Sequence, residues 1–112
     1  MSPKRLIPAL LCALLSTAVH ADYEAGVTLH WTTKAAEQGH LNAQFNLGAL
    51  YYTGMGTAVD LEKSLQWYTR AAEGQHGEAQ YNLATMYELG EGTPMDLVRA
   101  HFWTLRVCYD QW

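Results

Sequence analysis

The sequence is short of cysteine, of basic charge and of long apolar runs, and each shortage closes a class of function. Two cysteines, Cys12 and Cys108, stand in 112 residues. The first lies in a segment expected to be removed, which leaves one thiol and no internal disulfide framework. Charged residues make up 16% of the chain, with no long run of either sign. The apolar stretch Leu6 to Leu15 is too brief to span a bilayer, which takes about 20 apolar residues. It follows Lys4 and Arg5 and leads into "STAVHA", with Val19 and Ala21 at the small-residue positions of a cleavage site. This reads as a removable secretory signal over residues 1–21, with a periplasmic or secreted location and no membrane attachment after cleavage. Leu11 before Cys12 speaks against a lipid anchor, because a lipoprotein signal places a small residue there.

From Asp22 onward five basic residues face eleven acidic ones, a formal charge of −6. Phosphate contacts need a basic stripe, so a nucleic-acid partner is not expected. His30, His40, His76 and His101 come without H-E-x-x-H or Cys-rich spacing, and zinc wants three or four convergent ligands. No serine lies in an S-x-x-K setting, which a serine β-lactamase needs. Neither metal, cofactor nor catalytic residues are expected.

What the sequence does have is a repeat. "WTTKAAEQGHLNAQ", Trp31 to Gln44, returns as "WYTRAAEGQHGEAQ", Trp67 to Gln80, and Trp103 follows 36 residues later. Aligning 31–66 with 67–102 gives identity at 16 of 36 positions, where chance gives roughly two, so the chain is a repeat architecture. Ala43, Leu47, Leu50 and Tyr51 fall on one face of a helix expected over Leu41 to Thr53, ended by Gly54. Asp60 is placed to cap a second helix near Leu61 to Glu73, whose apolar face carries Leu61, Leu65, Tyr68 and Ala72. The second unit repeats this near Glu78 to Leu89 and Leu97 to Tyr109, with Gly90 and Asp96 as punctuation. With an N-terminal helix near Tyr23 to Gln38, the chain divides into a half-unit over 22–40 and units over 41–76 and 77–112. Ala35, Ala36, Ala71 and Ala72 are small enough to let consecutive helices approach closely.

The run A-x-Q-x-N-L-G-x-x-Y, G-x-G, D-x-x-K-x-x-x-W and A-A-E, seen in "NAQFNLGALYYTGMGTAVDLEKSLQWYTRAAE" and "EAQYNLATMYELGEGTPMDLVRAHFW", resembles the Sel-1-like repeat, a relative of the tetratricopeptide repeats. The resemblance implies an all-α fold: antiparallel helix pairs stacked as a short right-handed α-solenoid that holds protein or peptide partners. Two places depart from the pattern. Ala84 replaces the glycine seen at Gly48, and "VCYDQW", Val107 to Trp112, stands where A-A-E-x-G belongs.

Gly54-Met55-Gly56 and Gly90-Glu91-Gly92 follow helices, so they read as helix-ending loops and not as phosphate cradles. His40 and His76 recur at one repeat position and suit turn or capping roles. Cys108 matches one cysteine of the pairs that some family members carry, a few of them associated with β-lactam binding or hydrolysis. Its partner position falls beyond the chain, which leaves a β-lactam-binding or β-lactamase-like cell-wall-associated protein as the second functional reading.

Positions that differ between units on the first-type helix are free to specialise. These are Asn42, Phe45, Ala49 and Tyr52 in the first unit, and Glu78, Tyr81, Thr85 and Glu88 in the second. Each set forms a continuous helical stripe. The resemblance puts first-type helices on the concave face, which makes these eight the expected partner-binding residues, with Phe45, Tyr52 and Tyr81 as anchors. Val107, Cys108, Tyr109 and Trp112 leave apolar surface at an open C-terminal end, where copies of the chain can associate end to end.

Overall fold

Five helices in sequence make up the computed structural model, which describes residues 24–111. They are α1 (24–37), α2 (Leu41–Thr53), α3 (Leu61–Glu73), α4 (Gly77–Leu89) and α5 (Leu97–Asp110). No strand occurs among the described residues. The expected leader, its cleavage site at Ala21 and Asp22, and the terminal Trp112 lie outside them. Each helix packs on the next, α2 on α3, α3 on α4 and α4 on α5, so the architecture is an all-α, TPR-like solenoid.

The loops explain why the chain breaks where it does. Gly54 and Gly90 stop α2 and α4 in the left-handed conformation, and each following loop folds back so that Asp60 and Asp96 donate backbone N–H groups to Tyr51 and Tyr87 at 2.9 Å. Both aspartates then cap the next helix. Asp60 Oδ1 accepts from the Lys63 amide at 3.0 Å and Asp96 Oδ1 from the Arg99 amide at 3.1 Å, each satisfying a helix-start donor that would otherwise go unpaired. Helix α4 begins at Gly77, one residue before the sequence-based start, because His76 Nδ1 accepts from the Ala79 amide at 3.2 Å and makes a cap. His40 makes no such side-chain bond.

Packing between helices rests on the small and the amide residues. Ala36, Ala71 and Ala72 are buried, and across them Gln44 donates to the Ala36 carbonyl at 3.2 Å and Gln80 to the Ala72 carbonyl at 3.1 Å. The same bond thus ties each unit to the one before it. The second glycine of each G-x-G loop has positive φ and sits against the start of the preceding second-type helix. A Cβ on Gly56 would run into the Ala25 carbonyl, and one on Gly92 into that of Leu61, so only glycine lets the units close up. The core proper is Tyr68, Ala71, Ala72, Ala79, Leu83, Met86, Tyr87 and Ala100, centred on the α3–α4 junction.

The departure at Ala84 has a partner. In the first unit Ser64 Oγ donates to the Gly48 carbonyl at 2.7 Å, and a Cβ on Gly48 would meet Tyr68 Cδ1 at 2.7 Å. One period on, Ser64 and Tyr68 become Ala100 and Thr104. The smaller threonine stands where the tyrosine ring forbade a methyl group.

Candidate interaction surface

The eight stripe residues do not line one cavity. Tyr52, from the last turn of α2, and Thr85, from the middle of α4, share a cleft of about 180 Å³ with Tyr68, Asn82, Met86 and Glu91. Glu78 and Tyr81 border a second hollow with Val107 and Gln111. Glu88 lies toward α5, beside Leu97, His101 and Thr104. Asn42 is exposed, its Oδ1 3.1 Å from His76 Nε2. Phe45 and Ala49 are half-buried and pack against the core cluster; the Phe45 ring stacks on His76 at 4.7 Å and tilts against Tyr68 at 5.6 Å. Phe45 therefore joins α2, α3 and the α4 cap, whereas its repeat counterpart Tyr81 is 65% exposed.

The cleft between the units is built from helices of both types and from a loop. Two first-type helices and a second-type helix supply Tyr52, Asn82, Thr85, Met86 and Tyr68, and the G-x-G loop after α4 supplies Glu91. The pKa of Tyr52 is raised above the usual 10.0, first by the hydrogen-bonding pull of Glu91 on the phenol, then by partial burial and by the Glu91 charge. Burial raises the pKa of Tyr68, opposed by hydrogen bonds to Asn82 and Ser64. Both phenols are thus neutral hydrogen-bonding groups at ordinary pH. Sequence reasoning found Tyr52 and Thr85 but missed Tyr68, Asn82, Met86 and Glu91. The signal was present, since Tyr68 against Thr104 and Glu91 against Met55 also differ between units, but they lie on a second-type helix and in a loop, outside the stripe considered.

The outer side of α5 is the other region left uncovered among the described residues. Ala71 and Ala72 are 0% exposed beneath α4, while their counterparts Val107 and Cys108 are half-buried and exposed. Cys108 is a free thiol beside a shallow hollow with Gln75, Leu105, Tyr109 and Asp110. Asp110 is tied inward: its Oδ2 accepts from Gln80 at 2.7 Å and from Arg106 at 3.1 Å. No group of three metal-ligating side chains occurs among the described residues.

The Sel1 repeat family model matches residues 22–40, 41–76 and 77–108. Among solved structures, the chain is similar to a Sel1 repeat protein from Oxalobacter formigenes, at 35% identity and a TM-score of 0.74, over 77% of this chain and 35% of that one. It is also similar to a protective antigen of uropathogenic Escherichia coli strains displaying an SLR fold, at 34% identity and a TM-score of 0.71, over 72% of this chain and 17% of that one. The chain thus spans a minor part of both. Cysteine rich protein B of Helicobacter pylori shares the fold, with a TM-score of 0.71 and 17% identity over 89% of this chain and 90% of that one. No curated protein matches the chain.

Proposed function

Because the chain belongs to the Sel1 repeat family, whose repeats serve as protein–protein interaction scaffolds, we propose that it is a non-enzymatic adaptor of the exported compartment, binding a protein or peptide across the exposed face of α2 and α4. One observation carries this reading. Three of the pairs identical between the units, Ala36 with Ala72, Gln44 with Gln80 and Leu47 with Leu83, are buried in both. Among the divergent stripe positions, Tyr81, Tyr52, Glu78 and Glu88 are exposed. These three shared pairs serve the stack, while the stripe turns aromatic and acidic side chains outward, and aromatic side chains are the ones that anchor interfaces. Export rests on the expected leader at residues 1–21, and the exposure of Cys108 and Tyr109 supports end-to-end pairing of two copies through Val107, Cys108, Tyr109 and Trp112.

The test is recovery of the protein from the exported fraction, N-terminal sequencing, and cross-linking of wild type beside Tyr52→Ala/Tyr81→Ala. A start at Asp22 and a cross-linked partner lost in the double variant, with unchanged helicity, are the expected results. A start at Met1 ends the export reading. Cross-links indifferent to both tyrosines end the assignment of this face.

A further inference from the structure

The five basic residues that follow Asp22 are all engaged. Lys34 lies over Trp31 at 5.1 Å, Lys63 over Tyr51 at 5.4 Å, Arg70 over Trp67 at 4.6 Å and Arg99 over Tyr87 at 5.6 Å. Arg99 also faces Asp96 at 3.6 Å, and Arg106 pairs with Asp110 at 3.1 Å. Among the described residues no cation pairs with Glu91. Glu91 lies instead beside Tyr52, whose pKa it raises, at the edge of a cleft whose remaining lining is Tyr68, Asn82, Thr85 and Met86. A carboxylate carries about four acceptor sites, and a single neutral phenol beside it can occupy only a minority of them.

We propose that this cleft receives a basic side chain, arginine before lysine, from the partner protein or peptide. The inference rests on the adaptor reading and adds to it the chemistry of the bound group. A carboxylate attracts a cation, the phenol rings of Tyr52 and Tyr68 favour a guanidinium over an apolar group, and the aliphatic stem of a long side chain suits the Met86 thioether. About 180 Å³ accommodates one such side chain and not a folded element. The constellation occurs once: one period on, Tyr52 becomes Glu88, and one period back, Glu91 becomes Met55. The acidic balance from Asp22 on, −6, draws basic partners toward the whole surface, and the cleft gives them a fixed seat.

The probe is N-acetyl-arginine amide, titrated into the ¹⁵N-labelled protein at millimolar concentration, with N-acetyl-lysine amide and N-acetyl-norleucine amide in parallel. Saturable amide shifts at Tyr52, Thr85 and Glu91 are expected with arginine, weaker ones with lysine and none with norleucine. Glu91→Gln, which keeps the shape and a hydrogen-bond partner for Tyr52, is expected to weaken arginine binding about tenfold, with the rest of the spectrum unmoved as the check on folding. Equal shifts with norleucine, shifts spread over Glu78 and Glu88, no saturation, or indifference to Glu91→Gln each overturn the proposal. Partner cross-linking lost in Tyr52→Ala/Tyr81→Ala but untouched by Glu91→Gln sinks this inference and leaves the adaptor standing. Indifference to all three substitutions sinks both.

Discussion

The first unit, α2 with α3, and the second, α4 with α5, are near copies in sequence and unlike in surroundings. In the first, Ser64, Tyr68, Ala71 and Ala72 of the second-type helix are buried; in α5 only Ala100 is. The aromatic on the first-type helix is wedged between neighbours as Phe45 and stands in solvent as Tyr81. Among the described residues α4 follows and covers α3, whereas no helix packs beyond α5. In a stack whose units cannot each bury an apolar face alone, a residue's burial is set by its place in the array as much as by its type.

The largest test of this comparison removes the residue the units share most closely. Leu47 and Leu83 are repeat equivalents and both are 0% exposed, so truncation to alanine loses transfer free energy and leaves a cavity. Each is expected to cost about 2–5 kcal/mol, read by urea unfolding. Leu83 belongs to the central cluster at the α3–α4 junction and is expected to cost the more. If Leu47→Ala proves the worse, stability does not centre on that junction.

Next is the pair that the units solve differently. Gly48→Ala puts a methyl group 2.7 Å from Tyr68 Cδ1, and overpacking of this kind costs about 1–3 kcal/mol. Adding Tyr68→Thr copies the Ala84 and Thr104 pairing of the second unit, so the double variant is expected to lose less than the two single losses combined. Strict additivity would mean that the two positions are not coupled, and that Ala84 needs no compensation.

A smaller effect separates Phe45 from Tyr81, which the sequence places at one register position. Half-burial and the stack on His76 predict roughly 1–2 kcal/mol for Phe45→Ala, below the 3–5 kcal/mol typical of a buried ring. Tyr81→Ala is expected to stay within about 0.5 kcal/mol. Melting curves that shift equally would show that Tyr81 is packed as Phe45 is.

Reading the sequence recovered the helices because the 36-residue period and the Gly and Asp punctuation are local signals. The caps at Asp60 and Asp96 and the helix ends at Gly54 and Gly90 depend on residues within one turn. The cleft was less legible for a physical reason. Tyr52 and Thr85 sit on a helix face that periodicity can assign, whereas Glu91 reaches the cleft only because a glycine-rich loop turns back on the start of α3. That return is tertiary geometry with no period of its own. The contrast between Phe45 and Tyr81 was hidden in the same way, since both satisfy the same helical pattern and differ in their neighbours: the Tyr68 ring that Phe45 packs on is Thr104 one period later.

The smallest effect on stability carries the sharpest reading of the C-terminal flank. Cys108 and Ala72 occupy one repeat position, the first exposed and the second 0% exposed beneath α4. In a Cys12→Ser background, Cys108→Ser is expected to change stability by no more than about 0.5 kcal/mol. The Cys108 thiol of the monomer should react with Ellman's reagent at the rate of a free thiol. Moving the thiol to the covered position, Ala72→Cys with Cys108→Ser, is expected to slow labelling to the rate at which the α3–α4 junction opens, because reagent reaches a buried thiol only through local unfolding. The ratio of the two rates measures what a following helix does for an identical register position. If the native Cys108 is itself protected, and the protection fades on dilution as sizing chromatography shows a dimer turning into a monomer, a second copy covers the flank. Protection that persists in the monomer would instead mean that the chain buries its own last turn, and the difference between the units would close.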